Sequence, residues 1–300
     1  QSKGWPPKVS KTIFDAYMRD FGKEAEVRTK DGKTEVRLKT YDEVRRRFEE
    51  PGKFLVMPGV EITQRMSEKN GIEVHLNYIN LPDVIPYVKG GPLDKNIQGV
   101  AEVASVLRTN AGQVQDMAKK MRKPALLALN HPQWRHWDIQ PQNLLDTPEI
   151  RFFELCNGGS RFAPHPDAAS HTLDKFWDVV NAFRCQKGDP LVYGIGSDDT
   201  HTYFNKDVAL GAAAFYAWVM VRSNSLTNES VLDAMARGDF YTTCGVELDD
   251  IEFNTAQRAL RVKVRAAPGA KYKVRFIVTK KNFDQTVRMV EHPPVAGEAN

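Results

Sequence analysis

The sequence predicts an α/β fold in which parallel strands alternate with helices. From Phe54 onward, short apolar runs typical of buried strands alternate with longer segments whose apolar residues recur every three or four positions. Several of the apolar runs end close to a residue that can bind a metal ion, namely Glu61, His131, Glu154 and Asp199. Because functional groups gather at the C-terminal ends of the strands in parallel barrels, this repetition predicts one shared site.

Three segments carry the helical pattern. The clearest spans Val100–Met121, and a second spans Leu173–Phe183. A third is expected to begin at a Thr227 or Asn228 cap and to stop at Gly238. Threonine and asparagine side chains cap helix N-termini, and glycine ends helices because it adopts a left-handed conformation easily.

The chain is expected to form two domains with a boundary near residue 246. Residues 1–245 carry the alternating pattern after a polar, partly helical lead-in, in which Tyr41–Phe48 has helical spacing. In residues 246–300, apolar and basic residues alternate along Leu260–Val264 and Tyr272–Val278, with a proline-glycine turn between the two runs. This change predicts a small antiparallel β domain at the C-terminal end.

Composition and charge exclude several classes of protein. Of 300 residues, 41% are hydrophobic and 27% are charged, as in ordinary globular proteins. The 42 basic and 38 acidic residues are interspersed and give a net charge of +4, so we expect no nucleic-acid partner. No run of about 18 apolar residues occurs, so we expect no membrane-spanning segment. The expected partner is a small-molecule substrate, while oligomeric state and localisation stay open.

The three cysteines give no sign of a disulfide framework. Cys156, Cys185 and Cys244 are odd in number and far apart, without the Cys-x-x-Cys spacing of zinc sites. We therefore expect buried, unreactive thiols.

Five side chains form a candidate metal site: Glu61, His75, His131, Asp199 and His201. Imidazole and carboxylate ligands suit zinc, manganese or iron, and a carboxylate can bridge two ions. Asp199 and His201 lie two residues apart, so in a strand both point to one face. For each histidine, the alternative is a hydrogen-bonded core residue.

Five short motifs follow one another along the chain: Pro58-Gly59-Val60-Glu61-Ile62-Thr63, His75-Leu76-Asn77, Asn130-His131-Pro132, Glu154-Leu155-Cys156-Asn157-Gly158 and Gly196-Ser197-Asp198-Asp199-Thr200-His201. In this order they resemble the PHP (polymerase and histidinol phosphatase) superfamily of metal-dependent hydrolases, and within it the carbaryl-hydrolase-like subgroup. The resemblance covers roughly residues 54 to 290. It implies a distorted seven-stranded (β/α) barrel, followed by a small antiparallel β extension, with two or three divalent ions at the mouth of the barrel.

The resemblance also implies roles for the candidate ligands. Glu61 would bridge two ions and complete one site together with His75 and His131. Asp199 would serve a second ion and His201 a third, which makes these two the expected catalytic residues. Asp198 is less expected as a ligand and could instead cap the turn that follows it.

Four further residues are expected around the ligands. Glu154 and Asn157 would orient them, although Glu154 could equally just accept backbone hydrogen bonds beside the site. Arg135 and Arg161 follow two of the motifs in predicted loops, where a guanidinium could hold an anionic or carbonyl oxygen of a substrate.

The start of the chain departs from the family pattern. The family opens with a strand bearing His-x-His and a second strand ending in Asp-His, whereas the first histidine of this chain is His75. Either residues upstream of Gln1 belong to the same domain, so that the barrel is N-terminally incomplete here, or the protein has a reduced site.

The expected function is hydrolysis of a phosphoester, carbamate or ester by a water that the metal activates. The alternative is a catalytically degenerate relative that serves as a metal-binding or structural module. Metal content separates the two, because a competent enzyme should hold at least two ions and a degenerate one at most one.

Overall fold

A five-stranded mixed sheet forms the centre of the structure. The computed structural model describes residues 11–65, 73–81, 100–133, 139–158, 172–200 and 214–286. In chain order the elements are α1 Lys11–Phe21, β1 Val27–Lys30, β2 Lys33–Val36, α2 Tyr41–Phe48, β3 Gly59–Arg65, β4 Glu73–Ile79, α3 Val100–Met121, β5 Leu126–Leu129, α4 Pro141–Leu145, β6 Phe152–Asn157, α5 Leu173–Lys187, β7 Tyr193–Ser197, β8 Trp218–Val221, α6 Asn228–Arg237, β9 Phe240–Thr243, β10 Leu248–Asn254 and β11 Ala259–Val264.

The strands of the central sheet lie in the order β3-β4-β5-β6-β7. The pairs β3/β4 and β4/β5 are antiparallel, whereas β5/β6 and β6/β7 are parallel. The helices α4 and α5 lie in the two connections of the parallel part, as expected for crossovers between parallel strands.

The prediction of a seven-stranded parallel barrel is wrong. The central sheet has five strands, and no closed barrel occurs within the described residues. Only residues 66–72 separate β3 from β4, too few for the crossover of about a dozen residues that a parallel pair needs. These two strands therefore pair antiparallel, with Glu61 opposite Asn77 and Thr63 opposite His75.

The first strand of the central sheet begins later than the sequence suggests. The apolar run Phe54–Val60 predicts a strand that ends at Glu61, but β3 begins at Gly59 and contains Glu61 in its first half. Phe54 is 56% exposed and forms an isolated bridge with Glu50. Pro58 interrupts the run, because its nitrogen carries no hydrogen for a ladder bond.

One face of the central sheet is covered by α3 and α5. Leu76 of β4, Leu129 of β5 and Phe153 of β6 are fully buried in the larger core cluster, which includes Leu107 of α3 and Phe176 of α5. Each such side chain contributes about 1.5–3 kcal/mol through removal of apolar surface from water.

The other face of the sheet carries a second cluster. Leu126 and Ala128 of β5 and Phe152 of β6 are buried there with Leu232 and Met235 of α6. Because alternate residues of β5 enter the two clusters, this strand is buried on both faces, as is usual in the interior of an α/β sheet.

The antiparallel pair β8/β9 lies against β7. The Thr242 hydroxyl donates to the carbonyl of Gly194 at 2.7 Å. A Cβ atom at Gly196 would lie 2.9 Å from the Thr242 methyl carbon and 3.0 Å from the carbonyl oxygen of Trp218. Gly196 therefore allows the close approach of this second layer.

The helix predictions are confirmed. α3 spans Val100–Met121, and α5 begins at Leu173 and continues one turn beyond the predicted end. α6 follows Thr227, whose side chain accepts the N–H of Ser230, and ends at Gly238 with a φ of 84°. No helix in the described segments is long and apolar enough to cross a membrane.

The N-terminal segment is more structured than a polar lead-in. The helix predicted over Tyr41–Phe48 is α2, which begins with a capping box between Thr40 and Glu43. Before it, β1 and β2 form a hairpin that turns through Asp31 and Gly32, both with positive φ.

Beyond residue 246, the residues that the structure describes, which end at 286, contain one antiparallel hairpin, β10/β11. The run Tyr272–Val278, which alternates apolar and basic residues, forms no strand, and Val278 is 79% exposed. Its apolar side chains stay at the surface, so the alternation alone does not provide the packing that a third strand needs.

A buried arginine ties α5 to its surroundings. Arg184 donates from Nη2 to the carbonyls of Leu144 and Thr147, at 2.6 and 3.1 Å, and from Nη1 to the carbonyl of Pro190 at 3.0 Å. Burial lowers the pKa of its guanidinium to about 10. The side chain thus satisfies carbonyls of α4 and of the loops around α5.

We expect Arg184→Met to lower the free energy of unfolding by about 3 kcal/mol, because buried carbonyls that lose their donors cost ~1–3 kcal/mol each and removal of a buried charge offsets part of that loss. Urea denaturation measures the change. The control is Lys187→Met at an exposed position of α5, which should change stability by less than ~0.5 kcal/mol. Equal midpoints for Arg184→Met and the parent chain would contradict this role.

Candidate metal centre

Three neighbouring strands bring Glu61, His75 and His131 together. Glu61 of β3 lies opposite Asn77, and His75 of β4 lies opposite Thr63, so Glu61 and His75 are diagonal neighbours on one face of the sheet. His131 follows β5, next to the start of β4. One ligand atom from each of the three side chains lies within 4.8 Å of the other two. These three residues are called the trio below.

Hydrogen bonds fix the trio from several sides. Nδ1 of His75 lies 2.9 Å from Oε1 of Glu61. Asn130 donates from Nδ2 to the same oxygen at 3.2 Å, and its backbone N–H donates to the carbonyl of His75 at 3.0 Å. The rings of His75 and His131 meet edge to face, with centroids 4.9 Å apart.

The donor set of the trio fits a divalent transition-metal ion. One carboxylate and two imidazoles are the ligands of a common class of catalytic zinc site, which keeps a fourth position open. With bonds of ~2.1 Å, a tetrahedral ion separates its ligands by ~3.4 Å, so small side-chain rotations suffice to close the trio on one ion. Oδ1 of Asn130 is buried without a hydrogen-bond partner in the described part of the chain, which is consistent with a further group binding beside Glu61.

The pKa values of the two imidazoles of the trio are shifted in opposite directions. The hydrogen bond with His75 holds the pKa of Glu61 below its usual value. Burial alone would lower the pKa of His75, but the hydrogen bond and charge of Glu61, with a smaller effect of Glu73, raise it above its usual value. Burial and the charge of His75 lower the pKa of His131. His131 therefore favours the neutral form, which binds metals.

The buried carboxylate of Glu154 holds the backbone of His131. Its Oε2 accepts the N–H of His131 at 2.8 Å and Nδ2 of Asn157 at 2.7 Å, and its Oε1 accepts the hydroxyl of Ser197 at 2.5 Å. The residue is 2% exposed, and burial raises the pKa of its carboxyl group. Glu154 therefore fits both roles that the sequence suggests. It accepts a backbone hydrogen bond, and because that bond comes from His131 it also positions a candidate ligand.

Asp198 holds a distant segment of backbone. Its Oδ2 accepts the N–H of Phe215 at 2.7 Å, and its Oδ1 accepts those of Tyr216 and Ala217 at 2.6 and 3.0 Å. The carboxylate is thus engaged with backbone N–H groups, as the alternative to a ligand role expects, but these groups belong to residues 215–217 and not to the turn directly after Asp198.

Asp199 lies beside the trio without joining it. Its φ is 46°, an unusual value for a residue other than glycine. Its negative charge is near enough to make an upward contribution to the pKa values of both His131 and Glu154. Asp199 therefore contributes charge near the trio, and its role as a ligand stays a prediction.

Three of the predicted site residues, Arg135, Arg161 and His201, lie outside the described residues. Within the described residues, the trio is the one group of three metal-ligating side chains close enough to share an ion. The second and third ions implied by the family resemblance therefore also stay predictions.

Asn130 and Ser197, for which the sequence predicts no role, donate hydrogen bonds to Glu61 and Glu154, respectively. Asn130 stands directly before His131 and Ser197 stands two residues before Asp199, each at the end of a strand. A short polar side chain at such a place is partly buried and needs a partner, so this position is the signal that could have found them.

Comparisons of the chain with protein-family models, with curated proteins and with solved structures give no significant match. The resemblance to the PHP superfamily therefore rests on the five motifs alone.

We expect Glu61→Gln to weaken the binding of zinc or manganese at least about 100-fold, since loss of partners outside the ligand set already costs 10–100-fold and this change removes a ligand charge. Competition with a chromophoric chelator measures the affinity. Glu252→Gln, at an exposed position of β10, is the matched control and should bind as the parent chain does. Equal affinities of the two variants would exclude Glu61 as a ligand.

Glu154→Ala should weaken metal binding about 10–100-fold, because the backbone of His131 loses its acceptor. Glu154→Gln should keep most of the affinity, since its amide oxygen still accepts from His131 and Asn157 while the hydroxyl of Ser197 turns to accept from the amide. The same competition assay, with circular dichroism to verify folding, compares the two. An unchanged affinity in folded Glu154→Ala would refute the positioning role.

Proposed function

We propose that this chain is a divalent-metal-dependent hydrolase whose centre is the trio Glu61, His75 and His131. The supporting observation is the convergence of one carboxylate and two imidazoles within 4.8 Å. Zinc, manganese and iron accept this combination of ligands. When bound, such an ion lowers the pKa of a water molecule and stabilises negative charge that develops on the substrate.

The residues of the chain supply position and charge. Glu61 carries the negative charge that attracts the ion, and the hydrogen bond from Asn130 fixes one of its oxygens. Burial lowers the pKa of His131 and so favours its neutral form, which is the form that binds metals. Glu154 holds the backbone from which His131 extends. The ligands are thus preorganised, which reduces the cost of arranging them when the ion binds.

The proposed substrates are phosphoesters, carbamates or esters. In each of them, attack by water places negative charge on oxygen in the transition state, and a cation stabilises that charge. The proposal includes Asp199 and His201 as catalytic residues that bind further ions. It also includes Arg135 and Arg161 as groups that bind a substrate oxygen.

A catalytically degenerate metal-binding or structural module is the second candidate. It is favoured by the single trio in the described segments, since a hydrolase with two ions needs ligands beyond these three. Such a module would bind at most one ion and hydrolyse none of these substrates.

We expect Asp199→Asn to lower kcat/KM at least about 100-fold, because the exchange keeps the shape of the side chain but removes a negative charge beside His131. The assay uses the full-length protein with manganese or zinc and a panel of phosphoesters and carbamates. Asp198→Asn is the control, because its carboxylate is committed to the backbone of residues 215–217. It should lower stability and leave kcat/KM within about tenfold of the parent.

Metal analysis of the same preparations separates the two candidates. Fewer than two bound ions together with no turnover on the panel would make the binding module the better interpretation. If Asp199→Asn were fully active and Asp198→Asn inactive, the chain would still be an enzyme, but Asp198 and not Asp199 would be the metal ligand.

A further inference from the structure

Two cysteines that are 88 residues apart in the sequence meet in the fold. Cys156 lies on β6, and Cys244 directly follows β9. Their sulfur atoms are 3.3 Å apart. A disulfide bond is ~2.05 Å long, so the sulfurs need to approach by little more than ~1 Å to form one. All three thiols are free, but the expectation that they are buried is wrong, because Cys185 and Cys244 are exposed and Cys156 is partly buried.

Backbone pairing and hydrogen bonds hold both sides of the pair, and Cys156 itself is paired with Gly196 of β7. The sheet β8/β9 is attached to β7 through the bond from the Thr242 hydroxyl to the carbonyl of Gly194. The turn after β9 is fixed by Thr243, whose hydroxyl accepts the N–H of Gly245 at 3.0 Å and donates to the carbonyl of Val246 at 2.7 Å. The short distance between the thiols thus follows from paired strands and a bonded turn.

The two thiols differ in their access to solvent. Cys244 is exposed, whereas Cys156 is partly buried. Burial, with the hydrogen bond and charge of Cys244, raises the pKa of Cys156 above its usual value. A small oxidant therefore reaches Cys244 first and finds Cys156 directly behind it. Cys185 is exposed on α5 and takes no part in this contact.

We propose that Cys156 and Cys244 form a redox modification site, a dithiol that a peroxide converts into an internal disulfide. The thiolate of Cys244 attacks one oxygen of the peroxide, so that an S–O bond forms, the O–O bond breaks and the sulfur gives up two electrons. The oxygen that leaves takes up a proton, as water when the peroxide is hydrogen peroxide.

The sulfur of Cys156 then attacks the sulfenic sulfur of Cys244. The S–S bond forms, the S–O bond breaks, and the leaving hydroxide takes the thiol proton of Cys156 to become water. Two thiols and one hydrogen peroxide thus give one disulfide and two water molecules.

The disulfide joins β6, which carries Glu154, to the connection between β9 and β10. It links positions 88 residues apart, and closing such a long loop removes many conformations from the unfolded chain. The oxidised protein should therefore unfold at a higher temperature than the reduced protein.

The test treats the reduced full-length protein with one equivalent of hydrogen peroxide in the presence of a metal chelator. Free thiols are counted, and peptides are mapped by mass spectrometry without reduction. The count should fall from three to one, with Cys156 joined to Cys244 and Cys185 still free. A reductant should restore all three thiols.

Three variants sharpen the test. Cys185→Ser, the matched control, should form the same disulfide and show the same rise in unfolding temperature. Cys156→Ser should form no internal disulfide and should accumulate a sulfenic acid on Cys244 that dimedone traps. Cys244→Ser should show no rise in unfolding temperature on oxidation.

Three free thiols in the treated parent chain would overturn the proposal, as would a disulfide through Cys185 or one between two chains. The parent chain alone decides these outcomes, so a variant that fails to fold leaves the test intact. The result is also independent of the trio, because the chelator removes any bound metal.

Discussion

The geometry of the candidate site depends on the carboxylate of Glu154. This residue lies on β6, the middle strand of the parallel part of the sheet, and accepts hydrogen bonds from His131 after β5 and from Ser197 at the end of β7. A buried carboxylate is costly unless donors surround it, and here a third donor comes from Asn157. Loss of any one of these hydrogen bonds would leave the buried carboxylate less well solvated and would cost free energy. The ends of β5, β6 and β7 are therefore held at fixed positions relative to one another.

The helices could be predicted from the sequence because their signals are local. The apolar spacing of α3 and the Thr227 and Gly238 caps of α6 lie within the segments that they define. The direction of strand pairing is not local in this way. The run that begins at Phe54 has the composition of a buried strand whichever way its neighbour runs, and only the short connection between β3 and β4 indicates an antiparallel pair.

The trio could be proposed from the sequence because imidazole and carboxylate groups in ordered motifs indicate metal chemistry. The contacts that position the trio could not be predicted from the sequence, because Asn130 and Ser197 are common residue types whose partners lie on other strands. The pair Cys156 and Cys244 gave no signal either. A contact across 88 residues depends on where β6 and β9 lie in the fold, and spacing along the chain carries no information about that.

The pairing of β3 with β4 also sets how the trio responds to protons. It places the carboxylate of Glu61 against the imidazole of His75, which raises the pKa of that imidazole and favours its protonated form. An ion that takes this nitrogen has to displace the proton, so metal binding at the trio releases a proton and strengthens as pH rises through the pKa of His75. His131 differs from His75 in this respect, because burial lowers its pKa and so favours loss of its proton at a lower pH. The antiparallel hairpin, which excludes the predicted barrel, is therefore also what couples metal affinity to pH.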